Sequence, residues 1–320
     1  MTKFLFSLAF ALAAVVAQAQ GFPARPVTLV SPFPPGGSTD TVARILAEKM
    51  RGPLGQTVVV ENVGGAGGSI AVGKVARATP DGYTIDIGQW DTHVGNGVVY
   101  PNLGYDLQKD FEPVGLISIN PQLIIGRKGL PADDLKGLVA WMKANPGKAT
   151  FANQNAAAQT AGTLLKQITD ADFLFVPYRG AGPAMQDILA GNIDLLVVQA
   201  AAALPQVRAG TVKVFAQMSP KRSPTVSDIP TADEGGVSGW YMPGWFGLFA
   251  PRGTPRDAIA KLNAAMSAAL ADPSTQKRFA ELGLDIATKD QQTPEGLAAF
   301  HKAEIDKWWP VIRAAGIKAE

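Results

Sequence analysis

The sequence predicts an α/β protein of two lobes, each built on a mixed, mostly parallel β-sheet flanked by helices. Short runs of β-branched residues alternate with helical patterns, which is typical of parallel sheets covered by helices. At 320 residues and 47% hydrophobic composition, the chain is long and apolar enough to form two cores. Apolar runs are interrupted at Asn120-Pro121 and at Pro243-Gly244, which predicts two chain crossings between the lobes. We therefore expect residues 120–245 to be inserted into a lobe formed by residues 20–119 and 246–320, with a cleft between the lobes.

The individual elements follow from hydrophobic period and from the Gly and Pro residues that interrupt it. The predicted strands are the β-branched runs Val27–Val30, Val58–Glu61, Thr84–Gly88, Val114–Ile119, Leu123–Gly126, Thr150–Ala152, Phe173–Val176, Leu195–Gln199 and Val212–Gln217. The predicted helices include one that starts among Ser38, Thr39 and Asp40 and runs to Arg51, then Ile70–Ala78, Leu135–Asn145, Gly162–Ile168, Pro183–Ala190, Ala202–Ala209, Pro255–Leu270, a second helix to Leu282 and a long one from Pro294. The last helix carries a core-facing stripe of Leu297, Phe300, Ile305, Trp308 and Ile312.

Residues 1–19 have the pattern of a secretory signal peptide. Lys3 precedes an apolar run from Phe4 to Val16, and Ala17-Gln18-Ala19 provides a cleavage site. No later stretch approaches the roughly 20 apolar residues that a membrane-spanning helix needs. We therefore expect cleavage before Gln20 and a protein that works in the periplasm.

Charge and cysteine content exclude several classes of function. A formal net charge of +2 argues against nucleic acid as a partner. The absence of cysteine excludes disulfides, thiolate catalysis and thiolate metal sites. The two histidines, His93 and His301, lack the neighbouring ligands that a metal site requires. The sequence therefore predicts no cofactor and no metal, a hydrogen-bonding structural role for His93, and a surface position for His301.

The first strand leads into the segment Ser31-Pro-Phe-Pro-Pro-Gly-Gly-Ser-Thr-Asp40, which can form neither strand nor helix throughout. A strand that ends in a Gly-bearing loop before a helix leaves backbone N–H groups free, and the helix dipole adds positive potential there. This arrangement predicts an anion site without Lys or Arg, formed by Phe33, Pro35, Gly36, Gly37, Ser38, Thr39 and Asp40. The alternative is an ordinary strand-to-helix turn in which Asp40 caps the helix.

Six segments of the chain, in order and spacing, resemble the solute-binding proteins of tripartite tricarboxylate transporters, the Bug family. They are Pro32–Asp40, Val60–Gly68, Pro80–Tyr83, Val176–Gly180, Ser219–Ser223 and Trp245–Pro251. The resemblance implies a two-lobed, type II-like periplasmic binding protein that is not an enzyme. It implies a monomer that closes over a small carboxylate and delivers it to the integral membrane subunits of the transporter. It further implies that two strand-to-helix loops, one per lobe, hold the ligand carboxylate with backbone groups.

The second of these loops departs from the family pattern. Asn153, Gln154 and Asn155 replace small residues there, and Thr160 lies near a position where the family often has His. We expect these residues to contact the ligand, the three amides as neutral donors and acceptors. Tyr178, in a further Gly-containing loop of the inserted lobe, could present its hydroxyl to the cleft.

A third candidate segment follows the Thr84–Gly88 strand. Thr92 and His93 match the family, whereas Trp90 and Asp91 depart from its usual small residues. Trp90 could stack on an apolar or aromatic ligand body, or it could pack under the loop. Together with Trp240 and Tyr241, it predicts an aromatic or otherwise apolar ligand body, with a dicarboxylate as the other possibility.

Two other functions compete with transport. A receptor domain that senses a carboxylate for a signalling partner would have the same sequence features. A secreted hydrolase is less well supported, because Gly36-Gly37-Ser38-Thr39-Asp40 lacks the final Gly of a nucleophile elbow and neither histidine lies in a recognisable triad context.

Overall fold

The computed structural model describes residues 21–318, so the predicted signal peptide at residues 1–19 lies outside the described residues. Ten strands form one mixed sheet in the order β2-β1-β3-β9-β4-β7-β5-β6, and β8 and β10 also pair with β4. The strands are β1 Val27–Ser31, β2 Val58–Asn62, β3 Thr84–Gln89, β4 Phe111–Arg127, β5 Ala149–Asn153, β6 Phe173–Pro177, β7 Leu195–Gln199, β8 Val212–Gln217, β9 Pro243–Pro251 and β10 Asp285–Ile286. The predicted α/β class is confirmed.

Helices flank this sheet along its whole length. They are α1 Ser38–Leu54, α2 Ser69–Ala76, α3 Asn96–Val99, α4 Leu135–Ala144, α5 Ala156–Thr169, α6 Ala181–Ala190, α7 Ala200–Arg208, α8 Arg256–Ala271, α9 Pro273–Glu281 and α10 Pro294–Ala314. A π-helical turn at Asp91–Gly95 joins β3 to α3. Four of the five residues in the predicted stripe of α10 are buried, with Leu297 and Ile312 at 0% exposure, and Phe300 is half-buried. Within residues 21–318, no helix has the length and hydrophobicity to cross a bilayer.

The strand pairings divide into two groups that share β4. In the first group, β1 lies parallel to β2 and β3, and β9 runs antiparallel to β3. In the second group, β5 lies parallel to β6 and β7, while β7 and β8 run antiparallel to β4. The parallel strands of each group point their carboxyl ends at the helix N-termini that follow them, which is where α/β folds bind ligands.

The structure corrects the prediction of two separate strands around Asn120-Pro121. Residues Phe111–Arg127 form one strand of 17 residues, which passes from the first group of strands to the second. Pro121 does not break it, because the strand changes partners at this point and Pro121 faces Pro243 of β9. The two predicted crossings therefore lie side by side, with Asn120 opposite Gly244.

One further expectation about local structure is wrong. The helix predicted at Gly162–Ile168 begins earlier, at Ala156, since Asn155 caps it by accepting a hydrogen bond from the Ala158 N–H at 2.9 Å. One strand was not predicted: Trp245–Pro251 belongs to β9, which pairs with both β3 and β4. Its neighbours along the sheet are distant in sequence, so local pattern did not reveal the pairing.

Candidate functional site

A cleft at the carboxyl ends of the parallel strands contains two cavities that share Pro34, Gln154 and Asn155. The inner cavity has a volume of about 30 Å³ and lies between the N-termini of α1 and α6 and the ends of β3 and β7. The outer cavity, of about 530 Å³, opens between the Gly64–Gly67 loop, the start of α5 and the Pro177–Arg179 loop. The cleft thus joins both predicted strand-to-helix loops.

The N-terminus of α1 faces the inner cavity with its backbone donors uncapped. Gly37, Ser38 and Thr39 line the cavity, and no side chain among the described residues caps this helix. The Ser38 hydroxyl is buried, and it has no hydrogen-bond partner within residues 21–318. Because the first N–H groups of a helix have no intrahelical acceptor, this end of α1 offers an anion several donors and the positive end of the dipole.

The Asp40 carboxylate does not cap these donors but holds the preceding Phe33–Gly37 loop in place through hydrogen bonds. It accepts hydrogen bonds from the Gly36 N–H, the Asn62 side-chain amide and the Arg44 guanidinium, each at 3.0 Å. Burial opposes ionisation of this carboxyl, but the hydrogen bonds from Arg44, Gly36 and Asn62 outweigh it and lower the pKa of Asp40. Asp40 therefore shapes the loop through its own hydrogen bonds, in the first turn of the helix where a negative charge is favoured.

Neutral amides make up the polar lining of the inner cavity. The Gln89 side-chain oxygen accepts hydrogen bonds from the Thr39 hydroxyl at 2.8 Å and from the Gln199 amide at 3.3 Å. Gln122 and Gln154 complete the set. The side-chain oxygens of Gln154 and Gln199 are buried and have no partner in the described part of the chain. Such orphaned acceptors are suited to receive hydrogen bonds from a ligand or from water.

The second loop contributes amides whose hydrogen bonds are partly internal. The Gln154 amide donates to the Val197 carbonyl at 2.6 Å, and the Asn155 side chain caps α5. Asn153 and Asn155 are half-buried and line the outer cavity, and Asn155 also lines the inner one. The structure therefore places all three predicted amides at the cleft.

Asp91 occupies the N-terminus of α5 from the opposite side of the cleft. Its carboxylate accepts the Ala157 N–H at 2.7 Å and the Gln89 side-chain amide at 2.9 Å. The side chain is 0% exposed, and burial raises the pKa of Asp91 to about 6 despite the hydrogen bond from Ala157. A carboxylate of the chain itself thus fills the position where the second loop was expected to offer its backbone donors.

The outer cavity carries the more exposed polar groups. Tyr178 lines it, with its hydroxyl donating to Asp187 at 2.7 Å, and exposed Arg179 lies next to it. Three predicted residues remain. Phe33 lines the inner cavity, and Gly36 lines a separate groove of about 220 Å³ between α1 and α6. Pro35 is exposed to solvent.

Four predicted site residues lie outside the cleft, and all four are at 0% exposure: Trp90, Thr92, His93 and Thr160. Trp90 packs edge-on against Trp308 of α10 at 5.3 Å between ring centroids, so the alternative of a packed tryptophan is correct. Thr160 faces the core because α5 begins at Ala156 and carries this residue in its interior. Thr92 and His93 lie in the π-helical turn, where the His93 ring stacks on Phe249 at 4.1 Å.

The other aromatic residues of the predicted ligand pocket are also structural. Trp240 is fully buried, and its indole N–H donates to the Ala161 carbonyl at 2.8 Å. The Tyr241 hydroxyl donates to Asp233 at 2.6 Å. The aromatic residues that do line the cavities are Phe33 in the inner one and Tyr100 and Tyr178 in the outer one. His301, predicted at the surface, is buried and bonds the His93 carbonyl through Nε2 at 2.6 Å.

Thr92, His93 and Asp86 form a chain that superficially resembles a catalytic triad. The Thr92 hydroxyl lies 3.0 Å from Nδ1 of His93, and Nε2 of His93 lies 3.6 Å from the Asp86 carboxylate. All three side chains are at 0% exposure, and burial lowers the pKa of His93 well below its usual value. A substrate cannot reach this group, and its histidine is a weak base.

The sequence did not predict two parts of the cleft. These are Gln89, Gln122 and Gln199 of the inner cavity, and the Gly64–Gly67 loop of the outer cavity. Gln89 and Gln199 are the last residues of β3 and β7, so their position at strand carboxyl ends was a usable signal. The Gly64–Gly67 loop belongs to a segment that carries the family resemblance, but nothing local assigned it to the cleft.

An inner cavity lined by neutral residues beside an uncapped helix N-terminus is suited to bind a small anionic solute. The comparisons with known proteins also indicate a solute-binding protein. Residues 42–317 match the family model of the tripartite tricarboxylate transporter family receptor, and the chain belongs to this family of solute-binding proteins. It is 41% identical to a UPF0065 protein in the TAR-I ttuE-ttuC′ intergenic region of Agrobacterium vitis, over 94% of this chain and 88% of that protein.

Three solved structures have the same fold over nearly their whole length. The periplasmic binding protein BugD is 41% identical, with a TM-score of 0.89 over 93% of this chain and 100% of that chain. MatC from Rhodopseudomonas palustris with bound malate is 38% identical, with a TM-score of 0.86 over 91% and 100%. Rpa4515 from R. palustris with adipate is 33% identical, with a TM-score of 0.88 over 93% and 99%. These relatives are solute-binding proteins, which confirms the prediction of a binding protein and contradicts the alternative of a secreted hydrolase.

Proposed function

We propose that this protein captures a small carboxylate in the periplasm and delivers it to a tripartite tricarboxylate-type membrane transporter. The observation that carries the proposal is the uncapped N-terminus of α1, which lines the inner cavity beside the partnerless Ser38 hydroxyl. Similar proteins hold malate and adipate, which are both carboxylates. Secretion through residues 1–19 and recognition by the transporter's membrane subunits belong to the same proposal.

The chemistry of capture is electrostatic and involves no reaction. The backbone N–H groups of Ser38 and Thr39 and the Ser38 hydroxyl would receive the ligand carboxylate, with the α1 dipole adding positive potential. Charged side chains are absent from the inner cavity's lining, which consists of neutral residues such as Gln89 and Gln199. Backbone donors suit such a site because they are fixed in place and need no counter-charge when the cleft is empty.

Closure of two lobes over the ligand completes the proposed cycle. Residues 20–119 with 246–320 would form one lobe and residues 120–245 the other, joined where Asn120 and Gly244 face each other. Among the described residues, hydrogen bonds connect the proposed lobes at the cleft, from Ala157 to Asp91 and from Gln199 to Gln89. Others connect them elsewhere, from Gln159 to Lys318, from Arg208 to Glu281 and from Ser223 to Asp285. Ligand bound between the α1 N-terminus and the hydrogen-bonded groups at the cleft would favour the closed arrangement.

The test is a thermal-shift screen of mono-, di- and tricarboxylates, followed by calorimetry on wild type and Gly37→Val. A ligand at about 100 times its Kd should add about 2.7 kcal/mol to the free energy of unfolding. A Cβ added at Gly37 meets no atom within 4 Å and the φ of this residue is −84°, so the variant should fold and should lose binding because valine enters the inner cavity that Gly37 lines.

Gly52→Val is the matched control, because Gly52 lies in the same helix, also faces open space and is remote from the cavity lining. It should retain wild-type affinity. Unchanged affinity in Gly37→Val would remove the α1 N-terminus from the site, and no stabilisation by any carboxylate would refute the proposed function.

A further inference from the structure

The N-terminus of α6 borders the same inner cavity as the N-terminus of α1. Ala181 and Gly182, the first two residues of α6, line this cavity together with Ser38 and Thr39. No side chain of the described residues caps α6, because its N-cap residue is Gly180, whose φ of 151° favours glycine. The first N–H groups of α6 therefore have no intrahelical acceptor and face an anion in the cavity as those of α1 do.

The two helix ends lie next to each other across the boundary between the proposed lobes. A Cβ built at Gly180 would lie 3.2 Å from Cδ of Pro34 in the loop before α1. A Cβ built at Gly182 would lie 3.7 Å from the Pro35 carbonyl oxygen. The loop that leads into α6 thus contacts the loop that leads into α1.

The N-terminus of α5, where the sequence placed the ligand contact of the inserted lobe, is already occupied. The Ala157 N–H donates to the Asp91 carboxylate at 2.7 Å, and the Ala158 N–H donates to the Asn155 side chain at 2.9 Å. The negative charge of Asp91 is therefore held against the dipole of α5. In the proposed inserted lobe, α6 is the helix whose first residues line the inner cavity.

The electrostatics of the inner cavity call for one anion. Each helix N-terminus carries about half a positive elementary charge, so α1 and α6 together present about one. Asp40 in the first turn of α1 is paired with Arg44 at 2.9 Å, and none of the described residues that line the cavity is charged. Two positive ends held together away from water repel each other, whereas one carboxylate between them balances both. The volume of about 30 Å³ has room for one such group, since a single water needs about 10–15 Å³.

A buried hydroxyl in this cavity lacks a hydrogen-bond partner. The Ser38 side chain is 7% exposed, and its hydroxyl bonds to nothing within residues 21–318. Because buried polar groups in native proteins are nearly always hydrogen-bonded, this hydroxyl points to a molecule that occupies the cavity. A carboxylate oxygen between the two helix ends would accept its hydrogen bond.

Building on the carboxylate binding proposed above, we propose that one ligand carboxylate lies between the N-termini of α1 and α6 and is the counter-ion that allows the two lobes to close. Without ligand, water solvates each helix end in the open arrangement, and closure would bring two positive ends together. With the carboxylate in place, backbone N–H groups of both helices donate to the same anion. Binding and closure are therefore coupled, and α6 rather than α5 supplies the donors of the inserted lobe.

An anion built into α6 should replace the ligand, and Gly182→Asp provides one. A Cβ at Gly182 meets only the Pro35 carbonyl oxygen, at 3.7 Å, so the variant should fold. At about pH 7.5 its added carboxyl group is ionised. We expect the ligand-free variant to have the radius of gyration of ligand-bound wild type. Gly182→Asn has the same size without the charge, and it should keep the larger radius of ligand-free wild type.

Small-angle X-ray scattering measures the radius of gyration, and calorimetry measures binding of acetate, succinate, adipate and citrate. Gly182→Asp should bind each acid that wild type binds at least about a hundredfold more weakly than Gly182→Asn does, because the built-in carboxylate occupies the same place. Gln186→Glu adds the same charge at an exposed position of α6 outside the cavity linings. This control should keep the wild-type radius and affinities.

If Gly182→Asp does not fold, Ser38→Asp and Ser38→Asn place the same pair of side chains in the cavity from α1. A ligand-free aspartate variant that scatters like ligand-free wild type would overturn the inference. Equal affinities of the aspartate and asparagine variants would do so too, as would wild-type scattering that a bound acid leaves unchanged. In these cases the acids still bind, whereas failure of wild type to bind any of the four would refute the proposed function itself.

Discussion

Asp40 and Asp91 are carboxylates close to the N-termini of α1 and α5, but their surroundings act on them in opposite directions. Asp40 has the Arg44 guanidinium and two further donors, and its pKa is lowered. Asp91 has a backbone N–H and an amide but no cation, and burial raises its pKa to about 6. The Asp40 carboxylate stabilises its loop, whereas the burial of an ionised Asp91 lowers the free energy of unfolding.

This difference predicts a pH dependence of stability. Because the pKa of Asp91 is about 6 in the folded protein against about 3.9 for an aspartate in an unfolded chain, the folded state binds more protons between these values. The free energy of unfolding should therefore rise as pH falls through about 6, by up to about 3 kcal/mol for a shift of about two units. Asp91→Asn should lack this contribution.

The measurement is urea denaturation of wild type and Asp91→Asn between about pH 7.5 and pH 4. Comparing the two proteins cancels the other buried groups, including Asp86, whose pKa is also raised by burial. A difference in unfolding free energy that stays constant over this range would show that Asp91 does not titrate there.

At the scale of elements, the backbones of the antiparallel strands β4 and β9 approach closely where β4 passes from the first group of strands to the second. Asn120 of β4 faces Gly244 of β9, and Pro121 faces Pro243. A Cβ added at Gly244 would lie 2.7 Å from both the side-chain nitrogen and the carbonyl oxygen of Asn120. Only glycine fits at this point without moving the neighbouring strand.

We expect Gly244→Ala to lower the free energy of unfolding by about 1–3 kcal/mol, because one strand must shift to relieve the overlap. Gly52→Ala is the control, since a Cβ there meets no atom within 4 Å. It should change the free energy of unfolding little, because the better helix propensity of Ala is offset by the following Pro53, which disfavours a Cβ in the helical region. Chemical denaturation of both variants measures the effect, and equal stabilities would mean that the crossing tolerates a side chain.

At the scale of the whole molecule, few polar contacts lie directly at the cleft. Asp91 with Ala157 and Gln89 with Gln199 connect the two groups of strands there, beside an open cavity of about 530 Å³. Three further hydrogen bonds join the proposed lobes away from the cleft. The adjacent strands at Asn120 and Gly244 are suited to a hinge between the proposed lobes.

We predict that a saturating carboxylate ligand reduces the radius of gyration. Bound ligand would add contacts between the α1 N-terminus and the glutamines of the opposite side, and would shift the population toward the closed form. Small-angle X-ray scattering with and without ligand measures this, with Gly37→Val as the protein that should not respond. Superimposable curves for wild type would argue against closure.

The sequence by itself determined the α/β class, the order of most elements and the family, because these depend on local period, breakers and characteristic segments. The first loop was also predictable, since Phe33 to Asp40 is contiguous and its chemistry lies in its own backbone. Only the tertiary structure decided which side chains reach the cleft. Trp90 and Thr160 lie at apparently suitable positions but face the core, because the Asp91–Gly95 turn and the earlier start of α5 orient them inward. Asp91 meets Ala157 across 66 positions of sequence, so its occupation of a helix N-terminus depends on a packing that no local pattern encodes.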